Sequence, residues 1–186
     1  MAWYLLECHG TPDRDWASLH RIPRYDGVSW NRGVLLGDKV PVPVTLHLDP
    51  EAPGHLPPMF HKGVLAMSRA MAEALEACGV DNLELFDAVL VDERTGTRRD
   101  DYLVVNVLGA IAAADLGASR HRAYGRPLFD VEFDALVIQE DRPRGALMFR
   151  LAENLSGLVV HEQVRRGLEA AGIGPLDFVP PGQWFA

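Results

Sequence analysis

Asp130, Glu132 and Asp134 alternate with apolar residues, and Glu140 and Asp141 follow closely, so carboxylates crowd one short stretch of the chain. On a strand, that alternation puts the first three on one face. Such a set can work as a general acid and base, or supply oxygen ligands to a divalent cation. It can equally form a solvated face or an interaction edge. A second acidic set, Asp92, Glu93, Asp100 and Asp101, brackets a turn candidate, and Arg94, Arg98 and Arg99 offset part of its charge. Read as an enzyme, the chain would be a small metal-dependent hydrolase for a nucleotide-like substrate, with the carboxylates after Phe129 holding the metal.

Other chemistry is sparse. The histidines are His9, His20, His47, His55, His61, His121 and His161, and none falls in a HExxH pattern or a Cys/His cluster of zinc spacing. His55 and His61 flank Pro57-Pro58, a spacing that favours an exposed loop over a metal site. No nucleophile-elbow, phosphate-loop or dinucleotide motif is present. No catalytic residue, cofactor or metal is therefore expected. Asn106, Asp115 and Arg150 stand in apolar surroundings and need hydrogen-bonded partners if buried; an Asp115–Arg150 ion pair is one solution.

The elements that must position these residues are partly written twice. Val64 to Leu85 aligns without a gap with Gly157 to Phe178. Each copy reads as an apolar stretch, a capping residue, a three-turn helix, a glycine stop and a short strand. Ser68 and His161 occupy equivalent capping positions, a better account of them than a nucleophile and its base. In the first helix Ala70, Met71, Ala74, Leu75 and Cys78 form the apolar face, ended by Gly79. In the second, Val164, Leu168 and Ala171 point inward, Arg165, Arg166 and Glu169 outward, and Gly172 ends it.

Residues 1–62 hold eight of the thirteen prolines, which excludes long helices there. Strands are expected at Trp3–Cys8, at Leu83–Asp92, over 129–134, at Leu136–Gln139 and at Ala146–Leu151, and extended segments near Gly33–Leu36 and Val42–Leu48. Asp49–Pro58 reads as an exposed connector. Tyr102 to Ala114 begins like a strand, but Val107, Leu108, Ile111 and Ala112 to Ala114 tip it toward a buried helix. The closing Trp184-Phe185 pair either docks on the body or marks a contact surface.

With 48% apolar and 24% charged residues, 186 residues can bury a core without metals or disulfides. Cys8 and Cys78 stand apart, as small core residues of a reducing compartment. No secretory or membrane-spanning segment is evident, so a cytoplasmic protein is expected. A formal charge of −8 argues against direct nucleic-acid binding and suits a basic protein partner.

Between residues 64 and 179, the succession Asp101 to Leu108, Asp115, Leu147 to Leu151, Val159 to Glu162, Leu168 to Gly172 and Leu176 to Phe178 resembles a bacterial polymorphic-toxin immunity family, the type-eleven immunity group. His161 stands where that family has serine. The resemblance implies a cytoplasmic, non-enzymatic protein that neutralises a cognate toxin encoded beside it, often a nuclease of the HNH superfamily. Carboxylates can imitate polyphosphate in a nuclease groove, so Asp92, Glu93, Asp100, Asp101, Asp130, Glu132, Asp134, Glu140 and Asp141 are the candidate partner-binding residues. The expected fold is α+β, one domain over 1–186 with a mixed or antiparallel sheet. Residues 1–62 form its irregular part, and the helix–strand unit repeats at 64–86 and 157–179.

Overall fold

In a computed structural model, which describes residues 2–10, 15–123 and 130–185, the run from Tyr102 to Val107 is a strand and not the expected helix. All six of its residues are buried, with Leu103, Val105 and Val107 on one face and Tyr102 and Val104 on the other. A strand covered on both sides loses its alternation and reads like a buried helix. Pairing on both edges settles the matter.

The chain begins with β1 (Trp3–Glu7), β2 (Leu19–His20), β3 (Val44–Leu48) and β4 (Met59–Phe60). Next come β5 (Ala66–Ser68), α1 (Arg69–Ala77), β6 (Leu83–Asp92), β7 (Thr97–Val107) and β8 (Ala110–Ile111). A ribbon of β9 (Arg120–Ala123) and β10 (Val131–Ala135) follows, then β11 (Met148–Leu151) and β12 (Asn154–His161). The last elements are α2 (Glu162–Ala170) and β13 (Asp177–Val179). The fold is α+β.

Two larger sheets form, one ordered β2-β3-β6-β7-β5-β4 and the other β13-β1-β12-β11-β8. Their inner faces and both helices share a central core, which draws Met67, Val105, Met71 and Leu75 from the first half and Leu6, Val160, Val164 and Leu168 from the second. Outer layers cover the far faces. Trp30, Leu36 and Val40 close the first sheet, while Val131, Phe133, Leu136 and Trp184 close the second.

The repeat holds in three dimensions, and it is wider than the sequence suggests. In each half a strand leads into a helix and a second strand, with an antiparallel strand inserted between the two: β7 between β5 and β6, β1 between β12 and β13. The registers match. Ser68 pairs with Tyr102 as His161 pairs with Trp3, and Phe86 pairs with Val104 as Val179 pairs with Leu5. β4 beside β5 corresponds to β11 beside β12. In the first half the inserted strand follows directly along the chain, whereas in the second it comes from the opposite end.

Both helix starts are capped in the expected way. Ser68 Oγ accepts from Met71 N at 3.2 Å, and His161 Nδ1 accepts from Gln163 N at 3.2 Å. The histidine thus does the serine's work, provided that Nδ1 carries no proton. Ser68→Ala should cost about 1 kcal/mol of stability in urea unfolding. His161→Ala should cost more, since it also removes an edge-on contact with Trp3 at 5.0 Å.

Other expectations need correction. Ala70 is exposed and Ala72 takes its place beside Met71 and Leu75; Ala171 is exposed too. Gly33–Leu36 is not extended at its ends: Gly33 has φ +65° and packs on the Gly109 backbone, where a Cβ would lie 2.9 Å from it, and Leu36 has φ −99° and ψ −40°. Leu136–Gln139 contributes only a bridge from Ile138 to Ala114. β1 stops at Glu7, β11 starts at Met148, and Phe129 lies outside the described residues.

Candidate functional site

The first acidic set is built by the β6–β7 hairpin. Its turn is closed by Gly96 N donating to Asp92 O at 2.8 Å. Asp92 Oδ1 accepts from Arg94 N at 2.9 Å. Burial would raise its pKa, but the backbone and hydroxyl hydrogen bonds of Arg94 and Thr95 hold it below the usual carboxylate value. Glu93, next along, meets Arg21 Nη1 at 3.2 Å and lies 3.0 Å from His47 Nδ1.

Further down the hairpin Ala88 pairs with Tyr102 and Leu90 with Arg99, so Asp100 and Asp101 together face Val89. That is a β-bulge, which breaks the alternation and turns side chains outward. Asp100 is exposed, and Asp101 is partly so. Arg99 Nε donates to Asp101 Oδ1 at 2.9 Å, and this bond holds the Asp101 pKa down against its partial burial. Asp87 belongs to the same bank, paired with Arg69 at 2.6 Å.

The second set lies on the β9–β10 ribbon and the turn beyond it. Val131 and Phe133 enter the core beside Trp184, leaving Asp130 and Glu132 exposed. Asp134 is the extra residue of another bulge, between the pairs Phe133–His121 and Ala135–Arg120. Arg122 reaches Asp134 at 3.4 Å and Glu132 at 3.8 Å. The carboxylates of the hydrolase reading thus face an arginine. Glu140 and Asp141 are exposed in the following turn. All nine candidates are accessible to solvent, in two banks on different elements. Among the described residues no ion pair holds Asp100, Asp130 or Asp141.

The suggested Asp115–Arg150 pair does not form. Asp115 Oδ1 accepts from Gly117 N and Ala118 N, whereas buried Arg150 donates to Leu155 O at 3.0 Å. β12 bulges there, with Leu155 to Gly157 between the Arg150–Leu158 and Leu151–Asn154 pairs, and the guanidinium serves the carbonyl the bulge releases. Burial pulls its pKa down to about 10, so it remains charged at neutral pH. Asn106 is fully buried and donates to Val34 O and Glu84 Oε2, both at 2.8 Å. Glu84 also accepts from Leu36 N and Gly37 N, tying the loop that covers the first sheet.

Burial favours the neutral form of both thiols. Cys8, on a cavity of about 250 Å³ that Trp16, Met59 and His61 help to line, is pushed up to about 11 by burial, and burial raises Cys78 as well. His61 packs edge-on to His9, while His55 bonds through its backbone to Asp15 and Ala17. No helix among the described residues is long and apolar enough to cross a membrane.

The molecule is thus an α+β scaffold of two equivalent split units, with charge gathered on hairpins at its periphery. Residues 14–183 match the Immunity protein family (Imm11), and the chain belongs to that family. No curated protein matches it. Its role is accordingly that of an immunity protein, and its partner a cognate toxin.

Proposed function

We propose that this immunity protein works in the cytoplasm as one domain over 1–186 and neutralises its toxin by stoichiometric occlusion, without catalysis. The toxin is a nuclease with a basic groove, and the acidic banks at Asp92–Asp101 and Asp130–Asp141 lie against that groove. One observation carries this reading: bulges in both hairpins present carboxylates to solvent on a chain of net charge −8. Charge held at a rigid edge steers a basic partner into register and rejects wrong ones. The shared core supports treating the two halves as one working unit.

The test joins Asp100→Lys and Asp101→Lys in one variant, Asp130→Lys and Asp141→Lys in a second, and all four in a third. With the toxin encoded beside this chain, association at low salt should slow roughly 10- to 100-fold in the combined variant, and the gap should narrow as salt rises. The two separate variants assign the effect to one bank or to both. Full inhibition at an unchanged rate in the combined variant would remove the acidic banks from the interface.

A further inference from the structure

We propose that His20, His47 and Glu93 form a binding site for a divalent ion of the zinc class, which clamps the β2–β3 edge to the tip of the β6–β7 hairpin. Strand register brings the three together. His20 lies directly across from His47 in the antiparallel β2–β3 pair, so both side chains rise from the same face. His47 is beside Val91 in the parallel β3–β6 pair, and Glu93, two residues beyond Val91, returns to that face. One ligand atom from each lies within 4.8 Å of the other two. In a tetrahedral site with bonds near 2.0–2.1 Å, donor atoms are about 3.4 Å apart, a distance that small side-chain rotations reach from here.

The nitrogens are also unsatisfied as they stand. His20 Nε2 and His47 Nδ1 are shielded from water and have no hydrogen-bond partner. His47 Nδ1 does approach Glu93 Oε1 at 3.0 Å, but without the alignment of a hydrogen bond. Two shielded imidazole nitrogens without partners cost free energy, and a metal ion would satisfy both at once. The donor set of two imidazoles and one carboxylate selects zinc and its transition-metal neighbours over magnesium or calcium, which prefer oxygen. Arg21 competes for Glu93 at 3.2 Å, but its side chain is 68% exposed and can turn away into water. This site is separate from the β10 carboxylates of the hydrolase reading and is structural in character.

The experiment uses the full chain, stripped by a chelator and titrated with ZnCl2 by calorimetry and thermal denaturation, with Co²⁺ as a spectroscopic probe. One ion should bind per chain, the melting temperature should climb with free zinc, and Co²⁺ should give visible d–d bands of low-symmetry coordination. Glu93→Gln keeps shape and exposure, and with His47→Gln it should weaken binding about 100-fold or more, beyond the roughly 10- to 100-fold loss from an outer-shell partner. His55→Gln and His121→Gln should leave binding unchanged. Absence of binding to the folded, stripped chain overturns the site, as does binding that survives both Glu93→Gln and His47→Gln. No toxin is involved, so this outcome is independent of the inhibition test.

Discussion

Trp184→Ala should destabilise the protein by about 3–5 kcal/mol, the range for truncating a large buried aromatic. The residue lies two positions before the last of the sequence and is still only 4% exposed. It packs against Phe133 at 6.2 Å in the outer core of the second sheet, among Trp3, Leu5 and Phe149. Its indole N–H donates to Glu7 Oε1 at 2.7 Å, so the tail is fastened to β1 by a charge-assisted bond as well as by area. Gly157 makes room for the ring: a Cβ there would lie 2.9 Å from Trp184 Cη2. Phe185, by contrast, is 72% exposed, and Phe185→Ala should change stability by less than about 0.5 kcal/mol. Urea midpoints of the two variants test the contrast, and equal losses would show that the tail does not dock as described.

Gly167→Ala should destabilise by about 1–3 kcal/mol, although alanine is the better helix former. Gly167 lies where α2 crosses the C-terminal end of α1, and its missing Cβ would fall 2.0 Å from Cys78 Sγ. The contact is reinforced by Gln163 Nε2 donating to Cys78 O at 2.8 Å, which supplies one of the last carbonyls of α1 with a partner. The diagnostic result is a change of sign. With Cys78→Ala already in place the obstruction is gone, and adding Gly167→Ala should then stabilise by about 0.5–1 kcal/mol through helix propensity. A double-mutant cycle read from urea midpoints measures this coupling. Strictly additive values would mean that the helices do not cross at this pair.

Sequence reached the helices and the repeat because both rest on local patterns: a cap, an apolar stripe and a glycine stop, each written twice. It failed where a pattern was erased by burial on two faces. Tyr102–Val107 has no period to read, and only its pairing with β5 and β6 distinguishes it from a helix. Short strands such as β2, β4 and β9 carry too few residues to signal at all, and Arg120 to Ala123 is polar because its ribbon lies at the surface. The place of β1 in the second unit depends on contacts between opposite ends of the chain, which no window spans. Among the candidate residues, the carboxylates are legible by type and spacing. The bulges that aim Asp100, Asp101 and Asp134 are not, since they exist only once two strands are in register. His20, His47 and Glu93 stand far apart in the sequence for the same reason.

β1 is an interior strand of its sheet, yet both strands that flank it, β12 and β13, lie more than a hundred residues further along the sequence. Trp3 to Glu7 is translated long before β12, its first partner, and is paired on both edges only once Asp177 to Val179 has been made. The first unit has its inserted strand adjacent and can close while synthesis continues; the second cannot, because its inserted strand pairs Trp3 with His161 and Leu5 with Val179. A chain that stops before Asp177 leaves β1 with an open edge and the core of the second unit uncovered. The second unit therefore closes late and all at once, where the first can close strand by strand.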